Sequence, residues 1–126
     1  MRDGQGSYKY PSGDSYIGEF KSNLRNGHGK YKWAFGGTFT GQYENGFRHG
    51  FGSEEHSNGA IKYEGNYKKG EFHDRGVLTI SGVKYDGFFT LGKRHGIFRV
   101  QKGEKVWSET WVEGTLQENG EMELER

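Results

Sequence analysis

A five-residue pattern, aromatic-x-Gly-x-aromatic, returns along this chain at a nearly fixed interval: YIGEF from Tyr16, FTGQY from Phe39, YEGNY from Tyr63, YDGFF from Tyr85 and, in weakened form, WSETW from Trp107. The steps are 23, 24, 22 and 22 residues. A second column keeps pace with the first: DGQG from Asp3, NGHG from Asn26, HGFG from His49, HDRG from His73 and HGIF from His95. Two columns moving together at this period describe one supersecondary unit stacked on copies of itself.

Each unit reads as a strand, a polar loop and a second strand. The loops are SNLRN at 22–26, ENGFRH at 44–49, KKGEFH at 68–73 and TLGKRH at 90–95. Shorter turns at Ser12-Gly13, Gly36-Gly37, Asn58-Gly59, Ser81-Gly82 and Lys102-Gly103 join successive units. A helix is disfavoured, because glycine recurs inside every segment at a cost of about 1 kcal/mol per interior position. The expected fold is therefore all-β, an elongated single-layer antiparallel meander of about five hairpin repeats over residues 1–112. It opens inside a repeat with a half unit at 1–15, continues with units from 16, 39, 63 and 85, and closes on a degenerate unit near 107. Residues 113–126 are expected as an acidic tail. Composition agrees with a single layer: nine Phe, eight Tyr and three Trp outnumber 14 Ile, Leu and Val, too few aliphatic residues for a two-layer core.

Glycine is a poor strand residue, so its place at the centre of every anchor needs a reason. Alternate strand residues share a face, which puts Phe39, Gly41 and Tyr43 on one side, as it does Tyr16, Gly18 and Phe20, Tyr63, Gly65 and Tyr67, and Tyr85, Gly87 and Phe89. Glu19, Gln42, Lys62, Glu64 and Asp86 fall on the other. The expectation is one aromatic and one wet face, with a ring from a neighbouring strand lying flat over each glycine.

The aromatic-x-Gly-x-aromatic anchor, the NG or KG turn and the following HGxG resemble the MORN (membrane occupation and recognition nexus) repeat over nearly the whole chain. The resemblance implies a twisted single-layer sheet acting as an interaction scaffold in cytoskeletal, ciliary or membrane-junction settings, with a proposed lipid association. Three positions depart from the pattern: Asp74 stands where Gly27 and Gly50 stand, Phe98 replaces the second glycine, and Glu109 replaces the anchor glycine between Trp107 and Trp111. The last unit is thus expected to be a cap or an attachment point.

No catalytic, metal or cofactor site is expected. His49, His73 and His95 are equivalent in successive units and so lie roughly 10 Å apart, whereas zinc ligands must all sit at about 2 Å from one ion. They are expected to help close the loops by hydrogen bonding. Glu54, Glu55 and His56 form the compact acid and histidine cluster, read as a solvated strand. Neither GxxxxGK[ST] nor GxGxxG before a helix occurs, there is no cysteine, and Ser7, Ser12 and Ser53 lack a plausible His and Asp arrangement. The chain is read as no enzyme, without a small-molecule substrate.

Two binding classes remain. In the first, the chain is a scaffold that takes up a helix or strand of another protein, with Tyr8, Tyr10, Tyr31, Trp33, Trp107 and Trp111 as candidate contacts. In the second, Arg25, Arg48 and Arg94, aligned in the loops with Lys68, Lys69 and Lys93, form a basic rim for anionic phospholipid. Nucleic acid is not expected, because residues 1–103 carry 16 Lys and Arg against 10 Asp and Glu, a mild excess. Residues 104–126 hold seven Glu against Lys105 and Arg126. The first strand, at residues 6–10, is expected to be an open edge for strand addition. No apolar run approaches the roughly 18 residues of a membrane-spanning helix, and the expected setting is the cytoplasm, in a cytoskeletal or ciliary assembly.

Overall fold

The computed structural model describes residues 2–124, with side chains over residues 2–117. Its strands are β1 (Gly4–Lys9), β2 (Ser15–Lys21), β3 (Leu24–Lys32), β4 (Thr38–Glu44), β5 (Phe47–His56), β6 (Ile61–Lys68), β7 (Glu71–Ile80), β8 (Val83–Thr90), β9 (Lys93–Arg94), β10 (Gly96–Lys102), β11 (Lys105–Val112) and β12 (Thr115–Leu124). Each pairs antiparallel with its neighbour in sequence, except that β8 pairs with both β9 and β10, which His95 separates. The result is the open, single-layer antiparallel meander that the repeat predicts.

The acidic segment expected as a tail from residue 113 is instead part of the sheet. β12 pairs with β11 from Val112↔Thr115 to Lys105↔Leu124.

The sequence loops around the anchors contain turns of two residues. Ser22-Asn23, Asn45-Gly46, Lys69-Gly70, Leu91-Gly92 and Glu113-Gly114 all have positive φ at both positions, the twist that suits a tight hairpin. The remaining loop residues belong to the strands. The second member of each hairpin then carries a bulge: the register shifts between Gly18 and Phe20, Gly41 and Tyr43, and Gly65 and Tyr67. Opposite each shift sits a left-handed residue, Gly27 at φ 90°, Gly50 at 89° and Asp74 at 58°. This is the role of the first glycine in HGxG, and aspartate, which visits this region more readily than most residues, can replace it.

The other glycines line up across the sheet. Gly6 pairs with Gly18, Gly18 with Gly29, Gly29 with Gly41, Gly41 with Gly52, Gly52 with Gly65, Gly65 with Gly76 and Gly76 with Gly87. Rings do lie over this row, but the covering ring belongs to the anchor's own strand, not to a neighbouring one. Tyr16 lies over Gly18 and Gly29, Phe39 over Gly41 and Gly52, and Tyr63 over Gly65 and Gly76. In the fourth unit the arrangement is transposed: Phe98, at the position where a glycine would stand, sends its ring back over Gly87. One ring is supplied and one glycine receives it, from the opposite strand.

Flat rings above a glycine row turn their edges to one another. Phe20, Tyr16, Tyr43, Phe39, Tyr67, Tyr63, Phe89 and Phe98 form a zigzag of successive edge-to-face contacts, with centroids 5.1–5.4 Å apart and planes at 79–88°. All eight are buried. Each contact contributes about 0.5–1.5 kcal/mol beyond the area it buries, so the zigzag acts as the core that a second layer would otherwise provide.

Candidate functional site: the arginine-lined aromatic face

Two-residue turns decide where the arginines point. With Ser22-Asn23 and Asn45-Gly46 as turns, Arg25 pairs directly with Phe20 and Arg48 with Tyr43; Phe72 pairs with Tyr67 and Arg94 with Phe89. Paired residues share a face, so Arg25, Arg48 and Arg94 lie on the aromatic face and form no basic rim. The Arg25 guanidinium is 5.0–5.9 Å from the ring centroids of Tyr10, Tyr16, Tyr31 and Tyr43. That of Arg48 is 5.2–5.6 Å from Trp33, Phe39 and Tyr67, and that of Arg94 is 3.6 Å from Trp111 and 4.7 Å from Tyr85. Lys68, Lys69 and Lys93 stay exposed. Lys68 and Lys69 flank a cavity of about 250 Å³ with Leu91 and His73.

Four of the six candidate contact residues come together. Tyr8 meets Tyr10 edge-on at 4.7 Å, Tyr10 stacks on Tyr31 at 5.9 Å, and Tyr31 meets Trp33 at 5.3 Å. Beside this file a cavity of about 240 Å³ opens between Arg25 and Arg48, walled by Tyr31, Trp33, Tyr43 and Phe47. Trp107 and Trp111 are not part of it. Their indole N–H groups both donate to the buried carboxylate of Glu109, at 2.7 and 3.0 Å, so they cap the far end of the aromatic face.

Polar groups that sequence reasoning assigned elsewhere hold the cavity walls. Glu54 is no solvated strand residue: its carboxylate accepts from Arg48 Nη1 at 2.6 Å and from the Tyr67 hydroxyl at 2.7 Å, and lies 2.6 Å from His56 Nε2. The His56 ring lies 5.0 Å from that of Trp33. Asp14, singled out by nothing in the pattern, accepts from the Tyr31 hydroxyl at 2.6 Å and the Ala34 N–H at 2.7 Å. The Tyr31 hydrogen bond and then the Ala34 amide hold its carboxyl below the usual carboxylate range. Burial, then the Asp14 hydrogen bond, pushes the Tyr31 hydroxyl up. Burial also raises Tyr43 and, reinforced by the Glu54 charge, Tyr67.

The second column ties units together. The N–H of Asn45 donates to Asn26 Oδ1 at 3.2 Å, that of Ser22 to Asp3 Oδ1 at 2.8 Å, and that of Glu113 to His95 Nδ1 at 3.2 Å. Main-chain bonds run alongside: Gly46 N–H to the Arg25 carbonyl and Gly70 N–H to the Arg48 carbonyl, both at 2.8 Å. Among the described residues, no three His, Asp or Glu side chains converge on a common point where a metal would bind.

The family model for the MORN repeat matches residues 1–15, 16–38, 39–61, 63–81 and 85–97. Comparison with curated proteins gives no match. The matched segments end at residue 97, whereas the hairpin order of the sheet runs on through β12.

Proposed function

Because the chain belongs to the MORN repeat family, whose members serve as protein- or lipid-interaction modules, we propose that it is a non-enzymatic scaffold that binds another protein across its aromatic face, as a subunit of a cytoplasmic assembly of cytoskeletal or ciliary type. The supporting observation is the cavity between Arg25 and Arg48, where cationic groups and partly buried rings meet at an open surface. Arginine, tyrosine and tryptophan are the residues that dominate protein interfaces.

The lipid reading is weaker than the sequence suggests. Three of the six basic groups assigned to a rim lie among rings on the aromatic face, leaving Lys68, Lys69 and Lys93 exposed. At about 1 kcal/mol per basic residue near an anionic surface, three lysines give weak, salt-sensitive attachment. Crosslinking in the native assembly, with mass spectrometry, tests the proposal. Crosslinks from Lys69, the exposed neighbour of Gly70 on the cavity wall, to one recurrent partner support it. Failure of Trp33→Ala to lower that partner's recovery removes the aromatic face from the interaction, and a tagged copy spread evenly through the cytoplasm contradicts the cytoskeletal or ciliary assignment.

A further inference from the structure

We infer that the cavity beside Arg25 receives the carboxylate of an aspartate or glutamate in an extended segment of the partner polypeptide, with an adjacent apolar side chain against Phe47 and Trp33. This rests on the protein-binding reading above and specifies what the partner must present.

The chain displays the arrangement itself, one repeat later. Arg48 Nη2 donates to the Gly70 carbonyl at 2.6 Å, and its Nη1 donates to Glu54 at 2.6 Å. Arg25 is its counterpart: Nη2 donates to the Gly46 carbonyl at 2.9 Å. The residue matching Glu54, two positions after the second glycine of the motif, is here Tyr31, and its hydroxyl is committed to Asp14. Arg25 Nη1 is left with the Tyr10 hydroxyl at 3.3 Å. Among the described residues no carboxylate forms a salt bridge with Arg25, whereas Arg48 has Glu54.

A half-buried guanidinium among four rings has lost part of its hydration without gaining a directly bonded carboxylate; the nearby Asp14 charge is engaged by the Tyr31 hydroxyl and the Ala34 N–H. Supplying a carboxylate restores a charge-assisted bond of the kind its twin already has. A cationic ligand is disfavoured at the same place, because the ring faces around the cavity are occupied by the chain's own two guanidinium groups. The volume of about 240 Å³ corresponds to about eight waters at ~30 Å³ each, enough for an acidic side chain and part of its neighbour.

The test is selection of a random displayed peptide library against the wild-type chain, followed by synthesis of an enriched peptide with its acidic residue and with the corresponding amide. The expected result is an Asp or Glu at one fixed position, at least about tenfold weaker binding of the amide peptide (1.4 kcal/mol), and loss of the acid preference when selection is repeated on Arg25→Gln. The comparison of the two peptides uses wild-type protein alone, so it decides the matter even if Arg25→Gln does not fold. Peptides that require Trp33 but carry no acid, or bind equally as the amide, overturn the carboxylate inference and leave the protein-binding reading standing. If no peptide depends on Trp33, both fall. Phosphatidylserine vesicles that bind wild type but not Arg25→Gln, with no peptide enriched, reassign the site to lipid.

Discussion

The ring of Phe39 on β4 lies over Gly52 on β5, so closely that a methyl group on Gly52 would meet Phe39 carbons at 2.6 and 2.7 Å. Gly41, on the ring's own strand, is confined differently, because a Cβ there meets the Gly52 backbone at 2.6 Å. Gly52→Ala and Gly41→Val both raise strand propensity, yet both are expected to destabilise by about 1–3 kcal/mol through overpacking, read as a lower urea midpoint. Phe39→Leu should reduce the penalty of Gly52→Ala in a double-mutant cycle. A Gly52→Ala midpoint at or above wild type contradicts the ring-over-glycine account.

Alkaline pH should unfold the protein through its tyrosines. Burial pushes Tyr16 up to about 12 and raises Tyr43, Tyr63 and Tyr67 as well, whereas tyrosines in the unfolded chain ionise near pH ~10. Above that value the folded state holds more protons, so stability falls as pH rises. It should be level at neutral pH and decline from about 10 through about 12, visible as tyrosinate absorbance appearing together with loss of circular dichroism. Tyr43→Phe, which keeps the ring and removes the titrating hydroxyl, should make the alkaline decline shallower. Tyrosinate formation without unfolding in that range contradicts the buried zigzag.

Asp14 supplies the opposite sign. Its carboxyl is held below the usual range by the Tyr31 hydroxyl and the Ala34 amide, so its contribution is present above the unfolded value of about 3.9 and is lost as pH falls through the folded one. Asp14→Asn should lower Tm at neutral pH, and the difference from wild type should shrink in acid. A difference that is the same at both ends of the pH range assigns Asp14 a purely steric part.

The period, the meander and the purpose of the central glycine are legible in the residues, because aromatic-x-Gly-x-aromatic at a fixed step leaves few ways to pair strands. Turn length decides where the arginines sit. Reading SNLRN and ENGFRH as whole loops put Arg25 and Arg48 at a rim, whereas two-residue turns at Ser22-Asn23 and Asn45-Gly46 extend the strands and set each arginine opposite an aromatic residue. A signal was available, since Asn-Gly is the strongest short hairpin turn. The Glu54, Glu55 and His56 cluster reads as a solvated strand because nothing in the linear pattern shows Arg48, Tyr67 and His56 converging on the Glu54 carboxylate. β12 was missed because its glutamates mask the alternation. The cavity combines residues from hairpins one repeat apart, a relation that spacing suggests but side-chain direction completes.

Glu109 offers a test in which agreement with the repeat should do harm. It stands where an anchor glycine belongs, pairs with Phe98 across β10 and β11, and accepts from both Trp107 and Trp111. Two indole donors need two acceptor atoms, and a carboxylate has both, whereas an amide has one oxygen and would turn an N–H₂ toward the second indole. Glu109→Gln should therefore cost about 1–3 kcal/mol, the penalty of a donor left unsatisfied. Glu109→Gly, which restores the repeat pattern, should be worse: it frees both indoles and uncovers no ring that could use the space, because the Phe98 ring already lies over Gly87. Tryptophan emission should shift to the red in both variants, and Tm should fall further for Glu109→Gly than for Glu109→Gln. If Glu109→Gly melts with wild type, the carboxylate clamp does not hold this end of the sheet, and the departure from the repeat at that position has no structural cost to explain it.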